Sequence, residues 1–156
     1  MLAAQQTRGT SVRSLQILVV DDDDADALMI SEALEQSERQ TNVERVADGR
    51  EALDYLRREG KFAEAPRPDL ILLDLNMPRM DGRETLAAIK TDDQLKAIPV
   101  VILTTSGAGP DIVASYQQRA NAYVTKPFGL DDFESTVRQI DRFYREVATL
   151  PGERPV

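Results

Sequence analysis

Four apolar segments of the chain each end at a residue that could take part in metal or phosphate chemistry. The first, ILVV at residues 17–20, runs directly into four consecutive aspartates at residues 21–24. The other three end at Asp74, Thr104 and Lys126. Carboxylates, a hydroxyl and an ammonium group can together bind a hard cation and stabilise a phosphoryl group. They can act together only if the fold brings the ends of these segments to one place.

The chain alternates between strand-like and helix-like segments. The strand-like segments are residues 15–20, 43–46, 70–73, 98–106 and 121–128. The helix-like segments are residues 24–36, 48–58, 83–90 and 130–147, and residues 107–118 form a loop followed by a further helix. This order predicts an α/β fold, a doubly wound five-stranded parallel sheet with five helices on its two faces. Ligand sites in such sheets lie at the carboxyl ends of the strands, so we expect Asp21, Asp22, Asp74, Thr104 and Lys126 to converge there.

Three carboxylates at one edge of a sheet repel one another unless a cation lies among them. Two carboxylates about 4 Å apart repel by roughly 1 kcal/mol in water and by about 4 kcal/mol at an intermediate dielectric. Mg²⁺ prefers carboxylate, carbonyl and water oxygens and often shares a phosphate ligand. We therefore predict a Mg²⁺ site supplied by Asp21 and Asp22 and completed by Asp74. Beside it, the charge of Lys126 and the hydroxyl of Thr104 suit a phosphoryl group.

The composition excludes several other chemistries. The 156 residues, 42% of them hydrophobic, are enough for about one domain. There is no cysteine and no histidine, which excludes disulfides, thiol nucleophiles, Ser-His-Asp triads and a phosphohistidine on this chain. A phosphoryl group must therefore come from another molecule, and a carboxylate is its natural acceptor.

The charge and hydropathy patterns bear on partners and location. The formal net charge is −8 and no basic stripe is visible, so we expect no nucleic acid and no anionic membrane surface as a partner. No apolar run approaches the roughly 18 residues of a membrane span, and the polar beginning of the chain lacks the apolar core of a secretory signal. A cytoplasmic location is expected.

Four motifs make the chain resemble the receiver domains of two-component response regulators, the family of the chemotaxis regulators. They are ILVVDD, DLILLDLNMPRMDG, PVVILTTS and NAYVTKPF, which occur in this order, and the resemblance covers about residues 16–147. It implies a flavodoxin-like sheet with strand order 2-1-3-4-5. It also implies a phosphorelay in which Asp74 accepts a phosphoryl group from a histidine kinase. Such a protein is not an enzyme beyond catalysing its own phosphorylation and dephosphorylation.

The resemblance also implies roles for individual residues. The metal ligands would be Asp21, Asp22, Asp74 and the backbone carbonyl of Asn76. The residues that act on the phosphoryl group would be Asp74, Thr104 and Lys126. Thr104 would be the switch hydroxyl and Tyr123 the switch aromatic. The Lys126–Pro127 bond is cis in that family, and X–Pro is the one bond type for which cis costs little.

A more specific resemblance is to the stand-alone response regulators of bacterial phytochromes. It rests on the insertion YLRREGKFAEAPRPDLILLDLNMP and the ending FYREVATLP. It implies a phytochrome histidine kinase as the partner and a homodimer. Phe143 and Tyr144 are adjacent on the last helix and cannot both face the core. We predict that one of them extends an apolar face outward and contributes to a dimer interface.

The predicted division of the chain is a flexible tail at 1–14, a receiver domain at 15–148 and a second tail at 149–156. The second tail is too short to fold alone, so we expect no effector domain, no DNA binding and no output enzyme. Signals would pass by protein contact, through a conformational or oligomeric change, or by moving the phosphoryl group onward, and the sequence does not choose between these.

Three further predictions concern single positions. Asp24 is predicted to cap the first helix, because aspartate favours that position. The apolar stripe of the last helix, down to Val147, is predicted to lie in the core. Asn76 and Ser106 flank the path of an attacking water and are predicted to tune the lifetime of the phosphorylated state.

Two other functions are consistent with part of this pattern. A magnesium-dependent phosphohydrolase for small phosphate esters could use the same carboxylates. However, a dehalogenase-type phosphatase usually has a second aspartate two residues after its nucleophile, where this chain has Asn76, and no substrate-capping insertion is visible. A scaffold that is independent of phosphorylation would need the fold alone, and the full set of site residues argues against it.

Overall fold

The computed structural model describes residues 14–36 and 41–151, which form a five-stranded sheet and five α-helices. The strands are β1 (Leu15–Val20), β2 (Thr41–Val46), β3 (Leu70–Leu73), β4 (Val100–Thr104) and β5 (Ala122–Thr125). The helices are α1 (Asp24–Glu35), α2 (Gly49–Leu56), α3 (Gly82–Thr91), α4 (Gly109–Gln117) and α5 (Leu130–Arg142). A 3₁₀ turn at Gly60–Phe62 follows α2, and a π-helical turn at Phe143–Val147 follows α5. None of the described helices is long and apolar enough to cross a membrane.

All neighbouring strands are parallel, in the order β2-β1-β3-β4-β5, which confirms the predicted sheet. The pairing continues one residue beyond three of the strand ends. The amide of Asp21 donates to the Val46 carbonyl at 3.1 Å, and the amide of Asp74 donates to the Val20 carbonyl at 3.0 Å. The amide of Lys126 donates to the Thr104 carbonyl at 2.7 Å. The sheet backbone itself therefore fixes all three residues at the carboxyl edge of the sheet.

The core lies on both faces of the sheet, because β1 and β3 are central strands. All four residues of β3 are buried, and only Gln16 of β1 is not, which is why both strands read as continuous apolar runs. One face of the sheet packs against α2 and α3, and the other packs against α1 and α5. Leu150 is buried against the second face, so the packed part of the chain reaches at least that residue. Most of both predicted tails, residues 1–13 and 152–156, lies outside the described residues.

Aspartates begin three of the helices, but the cap of α1 differs from the prediction. Asp23, not Asp24, is the N-cap: its backbone is extended (φ −84°, ψ 112°) and its side chain accepts from the Asp26 amide at 3.0 Å. The reason is a turn set by Asp21, whose side chain accepts from the Asp23 amide at 2.9 Å. Asp24 becomes the first helical residue, and its carboxylate pairs with Arg45 at 2.9 Å.

Two other predictions, on Val147 and on the Lys126–Pro127 bond, are wrong. Helix α5 ends at Arg142, and in the π-helical turn the amide of Ala148 donates to the Phe143 carbonyl at 2.9 Å, five residues back. This wider spacing moves Val147 off the apolar stripe, and Val147 is 70% exposed. The Lys126–Pro127 bond is trans, as are all peptide bonds of the described residues, and trans is the intrinsically favoured isomer.

Candidate functional site

Three carboxylates converge at the carboxyl edge of the sheet, as the sequence predicts. Asp21 and Asp22 follow β1 and Asp74 follows β3, and one oxygen from each lies within 4.8 Å of the others. Asp21 and Asp74 are buried, whereas Asp22 is exposed, so the cluster opens to solvent on the side of Asp22. The donors are all hard oxygens, with no sulfur or nitrogen among them. This set fits Mg²⁺ or Mn²⁺, which prefer oxygen ligands and keep part of their water shell.

Lys126 brings a buried positive charge to this cluster. Its Nζ lies 2.8 Å from Asp21 Oδ2, 2.8 Å from Asp26 Oδ2 and 3.5 Å from Asp74 Oδ2. Burial lowers the pKa of the ammonium group, but the hydrogen bonds to Asp21 and Asp26 and the charge of Asp74 outweigh it and hold the pKa above its usual value. Lys126 is therefore charged throughout the physiological pH range.

The carboxyl group of Asp21 responds in the opposite sense to the same surroundings. Burial raises its pKa above the usual value, and the hydrogen bond and charge of Lys126 offset only part of this effect. The ionised form of Asp21 is thus costly without a further cation. A cation among these oxygens would favour the ionised form of Asp21.

Asp26 is the site residue that sequence reasoning missed. It lies in the first turn of α1, and its carboxylate is about as close to Lys126 as that of Asp21. The sequence signal that could have found it is the short connection, because only three residues separate the end of β1 from the start of α1. A helix that starts so close to the strand places a first-turn side chain over the same edge.

Thr104 and Tyr123, the predicted switch residues, meet at the loop that follows β4. Thr104 is fully buried, and its hydroxyl oxygen accepts from the Ser106 amide over a long 3.5 Å. The hydroxyl of Tyr123 donates to the Ser106 carbonyl at 2.8 Å. The structure therefore does not place Tyr123 among the carboxylates. The side chains of Thr104 and Tyr123 both contact the backbone of Ser106.

The same loop is tied to two helices by an ion pair. The Ser106 hydroxyl donates to Asp111 Oδ2 at 2.6 Å, and Arg83 donates to Asp111 Oδ1 at 3.0 Å. Arg83 belongs to α3 and Asp111 to α4. The hydrogen bond from Ser106 and the guanidinium of Arg83 hold the pKa of Asp111 below its usual range. Any shift of the loop after β4 must therefore stretch or remake contacts that reach both helices.

The loop between β3 and α3 is fixed on the other side of the site. The amide of Asn76 points back to Asp74 Oδ1 at 3.4 Å. Arg79 adopts a left-handed backbone (φ 63°) and binds Asp48 through two of its guanidinium nitrogens, one of them at 2.8 Å. Gly82 must be glycine, because a Cβ there would lie 2.1 Å from the Asp74 carbonyl oxygen. These constraints hold the segment that carries Asn76 close to Asp74.

Phe143 and Tyr144 lie away from the carboxylates, in the π-helical turn after α5. Tyr144 packs against the core, and Phe143 is the outward-facing ring, 49% exposed. The two rings meet edge to face with centroids 5.0 Å apart. Their contribution to a dimer interface stays a prediction.

Comparison with known proteins gives the class of protein that this fold and site define. Residues 17–138 match the response regulator receiver domain, so the chain belongs to the receiver family of two-component systems. It is 44% identical to response regulator Rcp1 of Synechocystis sp. over 136 residues, which cover 87% of this chain and 92% of Rcp1.

Solved structures point to phytochrome regulators within that family. The phosphorylated cyanobacterial phytochrome response regulator RcpA is 49% identical with a TM-score of 0.87, covering 89% of this chain and 99% of that one. The Mn²⁺-bound form of Rcp1 has a TM-score of 0.84 at 44% identity, covering 88% and 99%. The bacteriophytochrome response regulator RtBRR has a TM-score of 0.69 at 39% identity, covering 92% and 86%. The chain is thus a receiver homologous to phytochrome response regulators.

Proposed function

We propose that this protein is a phosphorylation-controlled switch that accepts a phosphoryl group on Asp74 from the phosphohistidine of a histidine kinase. The observation that carries the proposal is the convergence of Asp21, Asp22 and Asp74 within 4.8 Å, with Lys126 Nζ 3.5 Å from Asp74 Oδ2. The similarity to RcpA and RtBRR supports a phytochrome kinase as the donor. The protein's own chemistry would be limited to its phosphorylation and dephosphorylation.

In this proposal Asp74 is the nucleophile. One of its carboxylate oxygens attacks the phosphorus, a P–O bond forms, the P–N bond to the histidine of the kinase breaks, and its electron pair stays on the imidazole. Asp21, Asp22, Asp74 and the Asn76 carbonyl would hold Mg²⁺, which neutralises phosphoryl charge when bound. Lys126 supplies a positive charge within reach of the acceptor oxygen, and its burial makes that charge more effective than it would be in water.

The output begins with the new charge on Asp74, about −1.5 to −2 at neutral pH. We propose that the phosphoryl oxygens draw in the Thr104 hydroxyl, whose 3.5 Å contact to the Ser106 amide is long and easily given up. Because Tyr123 is bound to the Ser106 carbonyl, the loop and the aromatic ring would move together. The surface of α4, β5 and α5 would then change its preference for partners or for a second copy.

The setting of the switch is also part of the proposal. We place it in the cytoplasm, as a receiver domain predicted at 15–148 whose packing extends to Leu150. The outward-facing Phe143, beside Tyr144, would contribute to a homodimer interface. Binding to nucleic acid is not expected, because the net charge is −8.

The direct test is intact-protein mass spectrometry after incubation with MgCl₂ and acetyl phosphate. We expect a gain of one phosphoryl group, which is lost in Asp74→Asn and in the presence of EDTA. Stoichiometric labelling that persists in Asp74→Asn would contradict the assignment. Turnover of a chromogenic phosphate ester in large excess over protein would instead indicate a phosphohydrolase. Transfer from a purified, autophosphorylated phytochrome kinase, compared with an unrelated kinase, tests the donor.

A further inference from the structure

The ammonium group of Lys126 is shared among more carboxylates than phosphoryl transfer requires. Two of its contacts are short, at 2.8 Å to Asp21 and to Asp26, and the contact to Asp74 is long, at 3.5 Å. The side chain of Lys126 is 4% exposed, so water does not compete effectively for these donors. The ammonium is therefore bound more closely to β1 and α1 than to the acceptor aspartate.

The two carboxylates that contact Lys126 at 2.8 Å differ in whether they could also bind a metal ion. Asp21 belongs to the group of carboxylates whose oxygens lie together within 4.8 Å, and its charge is available to a metal ion. Asp26 is outside that group and holds Lys126 from the first turn of α1. Its side chain is 25% exposed, so its charge is only partly screened by solvent. Once a cation engages Asp21, Asp26 is the carboxylate that still competes for the lysine.

We propose that Asp26 is a positioning residue that draws the Lys126 ammonium toward α1 and competes for it with the phosphoryl group on Asp74. This inference rests on the proposed function and deepens it. In the unphosphorylated protein, Asp26 keeps the lysine charged but displaced, and phosphorylation must recapture it. Asp26 thereby restrains the rate at which Asp74 is phosphorylated and the affinity of the site for a phosphoryl mimic.

The test compares variants that differ in one carboxylate. Asp26→Asn and Asp26→Ala remove the competing charge, and we expect them to be labelled by acetyl phosphate about two- to fivefold faster than wild type, the range for a partly exposed ion pair. Asp26→Glu restores the carboxylate and should return the rate to near that of wild type. The dissociation constant of beryllofluoride with Mg²⁺, measured by calorimetry, should fall by a similar factor in Asp26→Asn and Asp26→Ala.

Asp24→Asn is the matched control. Asp24 lies in the same turn of α1 and carries the same charge, but it is 92% exposed and pairs with Arg45, 2.9 Å away. A general effect of net charge on the anionic donor would accelerate both variants equally, whereas a role through Lys126 accelerates only the Asp26 variants. Repeating the rates at high salt should abolish any acceleration in the control and leave most of it in Asp26→Asn.

A metal-free measurement checks the pair itself. In EDTA, urea unfolding of Asp26→Ala, Lys126→Met and the double variant should give a non-zero coupling free energy between the two residues. Equal rates for Asp24→Asn and Asp26→Asn, slower labelling of the Asp26 variants, or zero coupling would each overturn the inference. Failure of the wild-type protein to be labelled would be a different result, because it would reject the proposed function and this inference with it.

Discussion

The substitution Asp74→Asn should stabilise the metal-free protein, although it removes the proposed phosphorylation site. Asp74 is buried, with an oxygen within 4.8 Å of one from Asp21 and one from Asp22, and 3.5 Å from the Lys126 ammonium. Asparagine keeps the size and shape of the side chain, removes its charge and replaces one acceptor oxygen with an NH₂ donor. The sign of the effect therefore depends on whether repulsion by two carboxylates exceeds attraction by one lysine.

Coulomb's law gives the expected size of this effect. At 4.8 Å, the upper limit of these separations, each repulsion is about 0.9 kcal/mol in water and about 3.5 kcal/mol at an effective dielectric of 20. At 3.5 Å the attraction to Lys126 is about 1.2 and about 4.7 kcal/mol in the same two limits. Since there are two repulsions and one attraction, Asp74→Asn should raise the free energy of unfolding by about 0.5 to 2 kcal/mol.

The assay is urea unfolding followed by circular dichroism, in EDTA and in saturating MgCl₂. The wild-type protein should gain stability with Mg²⁺, by about 2.7 kcal/mol at a hundred times the dissociation constant, whereas Asp74→Asn should gain less. Asp24→Asn, an exposed neutralisation outside the cluster, is the control and should change stability by no more than about 0.5 kcal/mol. A clear loss of stability for Asp74→Asn in EDTA would refute the reasoning, because it would mean that attraction to Lys126 outweighs the repulsion.

Three further predictions test the loops around the site. Gly82→Ala should destabilise the protein by about 1–3 kcal/mol or more, because the new Cβ would lie 2.1 Å from the Asp74 carbonyl oxygen. It should also slow the labelling of Asp74. Urea unfolding measures the first effect and mass spectrometry the second. Burial opposes ionisation of Asp48, but hydrogen bonds from the α2 backbone and from Arg79 hold its pKa below the usual range. The stability that ionised Asp48 contributes is therefore present above the pKa of an unfolded aspartate and is lost as the pH falls through the folded pKa. Asp48→Asn should lower the free energy of unfolding by about 1 kcal/mol at neutral pH, a modest value because the Arg79 side chain is 66% exposed. The difference between the two proteins should vanish in acid. A difference that does not change with pH would contradict this prediction. Asp111→Asn should weaken the ties of the loop after β4 to α3 and α4, so amide exchange in peptides spanning 105–111 should quicken while labelling persists; unchanged exchange would reject that role.

The sheet could be predicted from the sequence because its central strands are buried on both faces. Short continuous apolar runs such as Leu70–Leu73 are typical of such strands, and the alternation with helices predicts parallel pairing. The order of the strands came from the resemblance to receiver domains and not from periodicity, since any order would show the same runs. The carboxylate cluster followed from the rule that ligand sites lie at the strand ends, which needs no distances.

The features that could not be predicted depend on distances that only the folded backbone sets. The contact of Asp26 with Lys126 joins residues 100 positions apart and depends on how α1 leaves β1. Asp23 replaces Asp24 as the cap because a side chain two residues earlier turns the chain. Val147 leaves the core because α5 is followed by a π-helical turn, for which the sequence carries no periodic signal.

The position of Lys126 explains how charge at this edge could become movement. The ammonium lies among four carboxylates, those of Asp21, Asp22, Asp26 and Asp74, of which it contacts three. Its backbone amide donates to the Thr104 carbonyl at 2.7 Å. In the proposed switch, transfer of the ammonium from Asp26 to a phosphoryl group would change the pull on a residue whose backbone is hydrogen-bonded to the end of β4, where the loop to α4 begins. A site in which the lysine was already paired with Asp74 alone would have less to rearrange, so in the proposed switch the sharing of Lys126 between α1 and the acceptor would help to link phosphorylation to the loop.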